Sequence, residues 1–246
     1  MTAMSSPASP SVVAEIPLEL NPKLDWVALA ARFHSDGRIH IPSVLTDASA
    51  LRVHKALTEE TTWRLTLNKG GDFLDFASLT REERNRIALG AWERAQREFQ
   101  YLFENHRLSR DGEPYPDPHH FYARLVAFLN TPQFIGAMRK VTGLDTIVRT
   151  DAQATLYRPG DFLTRHDDQY GGRNRVAAYV LNMTPRWTAD WGGVLNFFDE
   201  RGHVAEGYVP TFNALNIFRV PTPHAVSQVT SFGGLRYSVT GWFHAR

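Results

Sequence analysis

The sequence predicts an α+β protein in which N-terminal helices flank a double-stranded β-helix, the antiparallel architecture also called a jelly roll. Apolar residues recur at helical spacing over the first 145 residues. Beyond them, short runs rich in Val, Thr, Tyr and Phe alternate with turn residues, as in antiparallel sheets. No flexible linker separates the two parts. We therefore expect a single domain over residues 15–246, with helix-rich support at 15–145 and the jelly-roll core at 146–246.

The helices are predicted from apolar stripes and from residues suited to helix ends. Gly37 and Gly143 are expected to end the first and last helices, because glycine readily adopts the left-handed conformation found there. Asp47 is the expected N-cap of the second helix, and Thr80 with Glu83 predicts a capping box at the third. The predicted helices cover residues 24–33, 47–57, 80–106, 118–129 and 131–141.

The strands are predicted from alternating side-chain character and from the Gly, Pro, Asn and Asp residues that bound each run. One short strand is expected within the helical part, and the others follow one another closely enough to be joined by turns. The predicted strands cover residues 38–42, 147–157, 175–183, 194–198, 204–208, 214–218, 225–230 and 236–244.

Charge and composition exclude several functional classes. The chain has 27 basic and 26 acidic residues, so its net charge of +1 gives no reason to expect a nucleic-acid partner. It has no cysteine, which excludes disulfides, thiolate metal sites and cysteine nucleophiles. Any bound metal must therefore be held by nitrogen and oxygen atoms.

The first 14 residues contain neither Lys nor Arg and lack a continuous apolar run, so they do not resemble a signal peptide. We expect residues 1–14 to form a mobile tail. Elsewhere no apolar run approaches the roughly 18 residues that a membrane-spanning helix needs. A cytoplasmic location without membrane association is expected.

A histidine and a carboxylate stand two positions apart at the expected end of a strand. Since side chains alternate between the faces of a strand, His166 and Asp168 should share one face, with Asp167 on the other. His224 begins a later strand that an antiparallel jelly roll can bring alongside. Two imidazoles and one carboxylate are the ligand set of mononuclear non-haem iron(II) oxygenases. These three residues are the candidate metal ligands.

The same short pattern occurs a second time, at His34 and Asp36. These residues lie near the end of the first predicted helix, where positions two apart point about 200° away from each other. They are expected to form a surface turn without a metal.

Arg236 begins the last predicted strand, twelve residues after His224, and Ser238 lies on the same strand face. A guanidinium binds a carboxylate through two parallel hydrogen bonds, and a serine hydroxyl can add a third donor. This pair suits a dicarboxylic cosubstrate. The alternative is structural, either an ion pair inside the barrel or an arginine at a sheet edge.

Together these motifs resemble the prolyl-4-hydroxylase-type iron(II)/2-oxoglutarate dioxygenases. The similarity is greatest to the subgroup with a His-Asp-Asp motif that includes prolyl hydroxylases of a small-subunit ribosomal protein, and it covers residues from about 150 to 246. The matching positions are Tyr157, His166, Asp167, Asp168, the run from Trp191 to Leu195, His224 and the run from Arg236 to Trp242.

The resemblance implies a hydroxylase that uses iron(II), 2-oxoglutarate and dioxygen, with ascorbate as a further candidate cofactor. It implies that His166, Asp168 and His224 bind iron and that Arg236 binds the far carboxylate of 2-oxoglutarate. The aspartate at position 168 favours hydroxylation over halogenation, since related halogenases lack this carboxylate.

The resemblance also implies cosubstrate contacts. Tyr157 matches a tyrosine whose hydroxyl lies near 2-oxoglutarate in such enzymes, and Ser238 stands beside the arginine position. Asn182 falls where close relatives often have a second tyrosine in contact with 2-oxoglutarate, so it departs from the pattern. It is either an amide donor or a strand-end residue.

The implied substrate is a prolyl residue in a protein or peptide, although no residue independently selects proline. One alternative is the same chemistry on a free amino acid or other small metabolite. Another is a metal-binding jelly roll without enzymatic activity, which would not need the carboxylate clamp at Arg236. The sequence leaves the oligomeric state open.

The remaining candidates are weaker. His119 and His120 are expected on the surface at a helix start, His203 in a turn and His244 at a strand end. Residues 68–76 combine a Gly pair with aromatic residues and are expected to form either a lid over the substrate or a simple hairpin turn.

Overall fold

The computed structural model describes residues 16–68, 73–75, 79–110, 112–169 and 174–246 of the chain. The tail expected at residues 1–14 and most of the candidate lid at 68–76 lie outside the described residues. The helices are α1 (Trp26–Asp36), α2 (Asp47–Glu59), α3 (Arg81–Ala95), α4 (Phe121–Leu129) and α5 (Pro132–Thr142).

The strands alternate with these helices at first and then follow one another without interruption. They are β1 (Arg38–Ile41), β2 (Arg64–Leu67), β3 (Phe73–Asp75), β4 (Tyr101–Ser109), β5 (Ile147–Thr150), β6 (Ala152–Tyr157), β7 (Phe162–His166), β8 (Arg175–Asn182), β9 (Leu195–Phe198), β10 (Val204–Tyr208), β11 (Ala214–Arg219), β12 (His224–Val226) and β13 (Arg236–Ala245).

The strands pair in antiparallel fashion in the order β1-β11-β8-β13-β6-β4-β7-β12-β9-β10, with β2 attached to β4, β3 attached to β2, and β5 attached to β13. The two ends of this sheet come back together, because Arg38 of β1 forms an ion pair with Glu206 of β10. The ring of His40 also lies 5.6 Å from that of Tyr208. The sheet is thus a nearly closed barrel, and the predicted α+β class is confirmed.

Two apolar clusters lie on opposite faces of the β8-β13-β6 wall. The outer cluster joins helices α1, α2, α4 and α5 to the outward side chains of the wall, among them Tyr179, Val239 and Phe243. The inner cluster fills part of the barrel with Phe103, Leu195 and other residues. None of the helices in the described ranges has both the length and the apolar composition needed to cross a membrane.

The helix ends follow the expected capping chemistry with one correction. Gly37 and Gly143 end α1 and α5 in the left-handed conformation, and the Thr80 capping box is present at α3. Helix α2 is capped by Thr46, whose side chain accepts from the backbone N–H of Ser49, and not by Asp47. Asp47 is instead an acidic residue in the first turn, where a negative charge is favourable.

The predicted third helix is wrong over its second half. Helix α3 ends at Ala95, and the residues from Tyr101 onward form β4. The apolar residues of this stretch fit both a helical and a strand period, so the sequence alone does not separate the two. In the fold, β4 pairs with β2, β6 and β7. These tertiary contacts therefore decide that the stretch is a strand.

Several strand predictions also need correction. The run at 147–157 is two strands, β5 and β6, which separate at Asp151. Strands β2, β3 and β4 were absent from the prediction, the strand expected to end at His166 and Asp168 is β7 and ends at His166, and β12 ends at Val226 rather than at 230. Because β1 and β4 belong to the barrel, the helix-rich part supplies walls of the same sheet as the second part.

Candidate metal site and its cavity

Three of the predicted site residues meet inside the barrel. His166 ends β7 and His224 begins β12, and the two are register partners across adjacent strands. Nε2 of His166 lies 3.4 Å from Oδ1 of Asp168, and Nε2 of His224 lies 3.5 Å from Oδ2. One ligand atom from each residue lies within 4.8 Å of the others. Within the described ranges, this is the one group of three or more such side chains that could hold a metal ion.

Backbone contacts fix the orientation of both imidazoles. Nδ1 of His166 lies 3.0 Å from the carbonyl of Thr164, and Nδ1 of His224 lies 2.8 Å from the carbonyl of Thr222. A carbonyl oxygen only accepts, so each Nδ1 must carry the proton. The lone pair of each Nε2 then points toward the shared centre, the arrangement that metal-binding histidines usually show.

The electrostatics of the group also suit a cation. Burial lowers the pKa of His224 to about 4, helped by the nearby His166, so its imidazole is neutral at neutral pH. Burial by itself would raise the pKa of Asp168, but the neighbouring imidazoles of His166 and His224 hold that pKa below its ordinary value. A neutral imidazole and an ionised carboxylate are the forms that bind metal.

The strand-face explanation for His166 and Asp168 is wrong, although the two side chains do converge. Strand β7 ends at His166, and Asp168 has a φ of 62°, in the left-handed region. This turn, which aspartate tolerates better than most residues, brings its carboxylate back toward the barrel. Asp167 is outside the group, with Oδ1 accepting from the backbone N–H of Gln169, yet it still lines the cavity.

Arg236 lies 2% exposed on β13, opposite Tyr157 of β6. Its guanidinium carbon is 5.0 Å from the centre of the tyrosine ring, and Nε has no hydrogen-bond partner. Within the described residues it forms no ion pair, so the structural alternative of an acidic partner is not found there. A buried guanidinium without a counter-charge is costly, and a bound carboxylate would remove that cost.

The Gly-Gly turn before β9 is needed to accommodate this arginine. Gly193 has a φ of 62°, and a Cβ added there would lie 3.1 Å from both Cδ of Arg236 and the ring of Trp187. At Gly192 a Cβ would lie 1.9 Å from the carbonyl oxygen of Gln228. Any larger residue would therefore displace the arginine or the adjoining backbone.

Ser238 and Asn182 are buried but do not line the cavity within the described residues. The hydroxyl of Ser238 is 2.7 Å from that of Thr155, and it is Thr155 that reaches the cavity. Asn182 pairs in register with Ser238, its Nδ2 donates to the carbonyl of Ala214, and its Oδ1 has no partner. Side chains alternate along β6, so Thr155 lies on the same strand face as Tyr157, two residues later. This alternation is the signal that would have identified Thr155.

The cavity has a volume of about 760 Å³ and contains the three candidate ligands, Tyr157 and Arg236. Sequence reasoning missed several of its walls because it missed β4. Trp242 also lines it, and the guanidinium of Arg175 lies 3.5 Å from the centre of that ring. Phe99 contributes an exposed aromatic ring.

The other histidines follow the predictions with two refinements. His34 and Asp36 are exposed at the end of α1, and His203 is exposed in the turn between β9 and β10. His120 caps α4 with its side chain and packs between two tyrosines, while His119 is exposed. His244 is buried near the end of β13, with Nε2 3.1 Å from Asp151.

Comparison with known proteins finds similarity over the part of the chain that contains this site. The model described as 2OG-Fe(II) oxygenase superfamily matches residues 152–244, which contain all three candidate ligands and Arg236. Prolyl 3-hydroxylase OGFOD1 of Mus musculus is 32% identical over 135 residues, which cover 52% of this chain and 24% of that protein. The chain therefore spans about a quarter of the length of this relative. The family resemblance found in the motifs is confirmed.

Solved structures show the same fold. A prolyl-4-hydroxylase from Pseudomonas putida is 21% identical with a TM-score of 0.56, and the match covers 90% of this chain and 99% of that one. A prolyl hydroxylase from Trichoplax adhaerens, in complex with a hypoxia inducible factor peptide fragment, is 15% identical with a TM-score of 0.59, covering 88% and 87%. These similarities confirm the jelly-roll fold.

Proposed function

Residues 152–244 match the 2OG-Fe(II) oxygenase superfamily, and from this premise we propose that the chain is an iron(II)- and 2-oxoglutarate-dependent dioxygenase that hydroxylates a prolyl residue of a protein or peptide. The observation that carries the proposal is a buried arginine, with no acidic partner among the described residues, in the same cavity as the His-Asp-His group. The names of the curated relatives and of the solved structures support the prolyl substrate.

The donor set fits the implied cofactors. His166, Asp168 and His224 would hold iron(II) through two nitrogens and one oxygen, a set that leaves coordination positions open. Arg236 would pair with the far carboxylate of 2-oxoglutarate, and Tyr157 and Thr155 line the same cavity. When bound, iron(II) and 2-oxoglutarate supply the oxidation of a C–H bond by dioxygen, with succinate and carbon dioxide as co-products.

The residues around this site would orient the candidate ligands and restrict what can reach them. The Thr164 and Thr222 carbonyls hold both imidazoles in one tautomer, so neither ring must reorient before a ligand binds. The ring of Phe218 lies 4.5 Å from that of His224, and Phe99 lies 5.2 Å from His166. These aromatic walls would keep water from the candidate ligands and limit which C–H bonds can approach them.

The same proposal includes residues 15–246 as one domain, since β1 and β4 complete the barrel that holds the site. The proposal also includes ascorbate as an accessory reductant, which assays with and without ascorbate would test. It includes a cytoplasmic location, which cell fractionation would test.

The test begins with anaerobic addition of iron(II) and 2-oxoglutarate to the purified protein. A weak visible charge-transfer band is expected from the chelate, and admission of dioxygen with a proline-containing peptide should then yield succinate. Free proline is assayed in parallel, and succinate formation with free proline but not with the peptide would indicate a hydroxylase of a small metabolite. If neither the band nor succinate forms, the alternative of a non-enzymatic metal-binding protein replaces the oxygenase.

A further inference from the structure

Strand β4 follows the cavity along its entire length, although it supplies none of the candidate ligands. Side chains at every second position face inward, as strand geometry requires. From Tyr101 to Arg107 the strand advances about 20 Å, at roughly 3.3 Å per residue. The residues of this stripe are Phe99, two residues before the start of β4, and Tyr101, Phe103, Asn105, Arg107 and Ser109.

The first end of the stripe is aromatic and lies against the candidate metal site. Phe99 is 41% exposed, and the centre of its ring lies 5.2 Å from that of His166. The backbone at Phe99 is anchored, because Nδ2 of Asn68 donates to its carbonyl at 2.7 Å. The side chain of the adjacent Gln100 accepts from the backbone N–H of Asn68 at 2.8 Å. Phe99 thus presents an apolar surface beside the candidate ligands.

Toward its second end, next to Arg107, the stripe adjoins a row of uncharged polar side chains on three strands. Nδ2 of Asn105 donates to Oε1 of Gln153 at 3.4 Å, and Nε2 of Gln153 donates to Oγ1 of Thr240 at 3.3 Å. Both distances exceed the usual 2.7–3.2 Å of strong hydrogen bonds, so these contacts are weak. Amide donors and acceptors in a cavity wall can exchange such weak contacts for bonds to a ligand's own amide groups.

We propose that Phe99 and Gln153 are specificity-determining residues that contact an extended peptide on opposite sides of the reacting residue. Phe99 packs on an apolar side chain next to the reacting residue, and Gln153 with Asn105 binds main-chain amides further along β4. A single amino acid spans only about 3.5 Å of extended chain and cannot reach both ends of the stripe. This inference rests on the proposed function, since it takes the peptide substrate from there.

Truncated peptides test the two contacts separately. The substrates are a randomised nonapeptide mixture with a central proline, X4-Pro-X4, and the two half-length mixtures X4-Pro and Pro-X4. Phe99→Ala should lower kcat/KM for the nonapeptides about tenfold, as expected for a lost aromatic contact, but should affect only one of the half-length mixtures. Gln153→Leu should lower kcat/KM for the nonapeptides about fivefold and should affect only the other half-length mixture.

The chain offers matched controls outside the cavity. Phe232 is exposed in the loop before β13, and Gln133 is exposed on α5, so Phe232→Ala and Gln133→Leu should leave all three rates unchanged. Melting temperatures show whether each variant folds, and Gln153→Met replaces Gln153→Leu if that variant does not. The anaerobic charge-transfer band should persist in both cavity variants.

Three outcomes would overturn the inference. Equal losses on both half-length mixtures, or no loss on any, would show that these residues do not contact opposite flanks. Oxidation of free proline as fast as the nonapeptides, with a normal charge-transfer band, would reject the peptide contacts while leaving the oxygenase intact. Absence of the band in the unmodified protein would reject the proposed function itself, and this inference with it.

Discussion

One residue of the candidate site, Arg236, is buried without the partner that usually accompanies such burial. It is 2% exposed, and its Nε has no hydrogen-bond partner among the described residues, whereas His224, 4% exposed, has Nε2 3.5 Å from Asp168. Burying unpaired polar groups costs free energy that a ligand can restore. The largest effects of substitution are therefore expected on ligand binding.

Replacement of Asp168 tests the metal assignment. Asp168→Ala should weaken Mn(II) or iron(II) binding more than about a hundredfold, since even changes outside the ligands of metal sites cost 10- to 100-fold. Anaerobic titration calorimetry measures this. Asp167→Ala is the matched control. Because the carboxylate of Asp167 is outside the ligand group, this substitution should leave metal binding unchanged. Equal effects of the two substitutions would contradict the assignment.

Replacement of Arg236 tests the cosubstrate assignment. Arg236→Ala should weaken 2-oxoglutarate binding by about 2–4 kcal/mol, or roughly 30- to 1000-fold in Kd, because the far carboxylate would lose its buried counter-charge. The 2-oxoglutarate affinity of Arg236→Lys should lie between those of the unmodified protein and of Arg236→Ala, since lysine keeps the charge but not the two parallel hydrogen bonds. Metal binding measured in the absence of 2-oxoglutarate should be unaffected. Unchanged 2-oxoglutarate affinity in both variants would exclude the clamp.

At the scale of elements, α3 is joined to the barrel by a buried network of charges. Nη2 of Arg84 on α3 lies 3.1 Å from Asp161, in the turn before β7. Arg158 donates from its backbone N–H to Asp161 and from Nε to Glu104 of β4. Burial raises the pKa of Asp161 to about 7, an effect that the positive charge of Arg84 opposes.

This network predicts a pH dependence of stability. The folded-state pKa of Asp161 exceeds the unfolded value, so between about pH 4 and 7 the folded state retains a proton that the unfolded chain has released. The free energy of unfolding should therefore decrease as pH rises through this window.

Asp161→Asn is expected to remove that contribution, because asparagine does not titrate. Its unfolding free energy relative to the unmodified protein should increase by up to a few kcal/mol between about pH 5 and pH 8, measured by urea denaturation. Asp36→Asn, at an exposed helix end, should show no such trend. A constant difference between the Asp161 variant and the unmodified protein would show that Asp161 does not titrate in this range.

Elements also show where sequence reasoning succeeded and failed. The capping box at Thr80 and the left-handed Gly143 were predicted because caps are local, decided by residues within one turn. Strand β4 was missed because its aromatic run fits two periods, and only its pairing with β6 and β7 selects the strand. The same error hid Phe99 from the candidate site.

At the scale of the whole molecule, the site joins strands from distant parts of the chain. β7 and β12 supply the imidazoles, β13 the arginine, and β4 a wall that runs from one end of the cavity toward the other. Ligands that bridge these strands should stabilise the entire barrel, because they bind only the folded state.

Thermal unfolding measures this coupling. Mn(II) and 2-oxoglutarate together under anaerobic conditions, at about 100 times Kd, should add about 2.7 kcal/mol or more to the free energy of unfolding. For a chain of this size that corresponds to a rise in Tm of roughly 5–10 °C. A chelator should reverse the rise.

The matched variant for this measurement is His224→Ala, which lacks one of the proposed ligands. Its Tm should not respond to Mn(II), with or without 2-oxoglutarate. A full response in this variant would place the metal elsewhere in the molecule.

By itself, the sequence determined the fold class and four side chains of the candidate site, since His166, Asp168, His224 and Arg236 stand in a recognisable order and spacing. Only the tertiary structure decided how they meet. The convergence of His166 and Asp168 depends on a left-handed backbone at residue 168, not on a shared strand face. The absence of an acidic partner for Arg236 among the described residues, and the position of Phe99 beside His166, follow from strand pairing across the barrel. Such pairing joins residues far apart in the chain, so no local pattern encodes it.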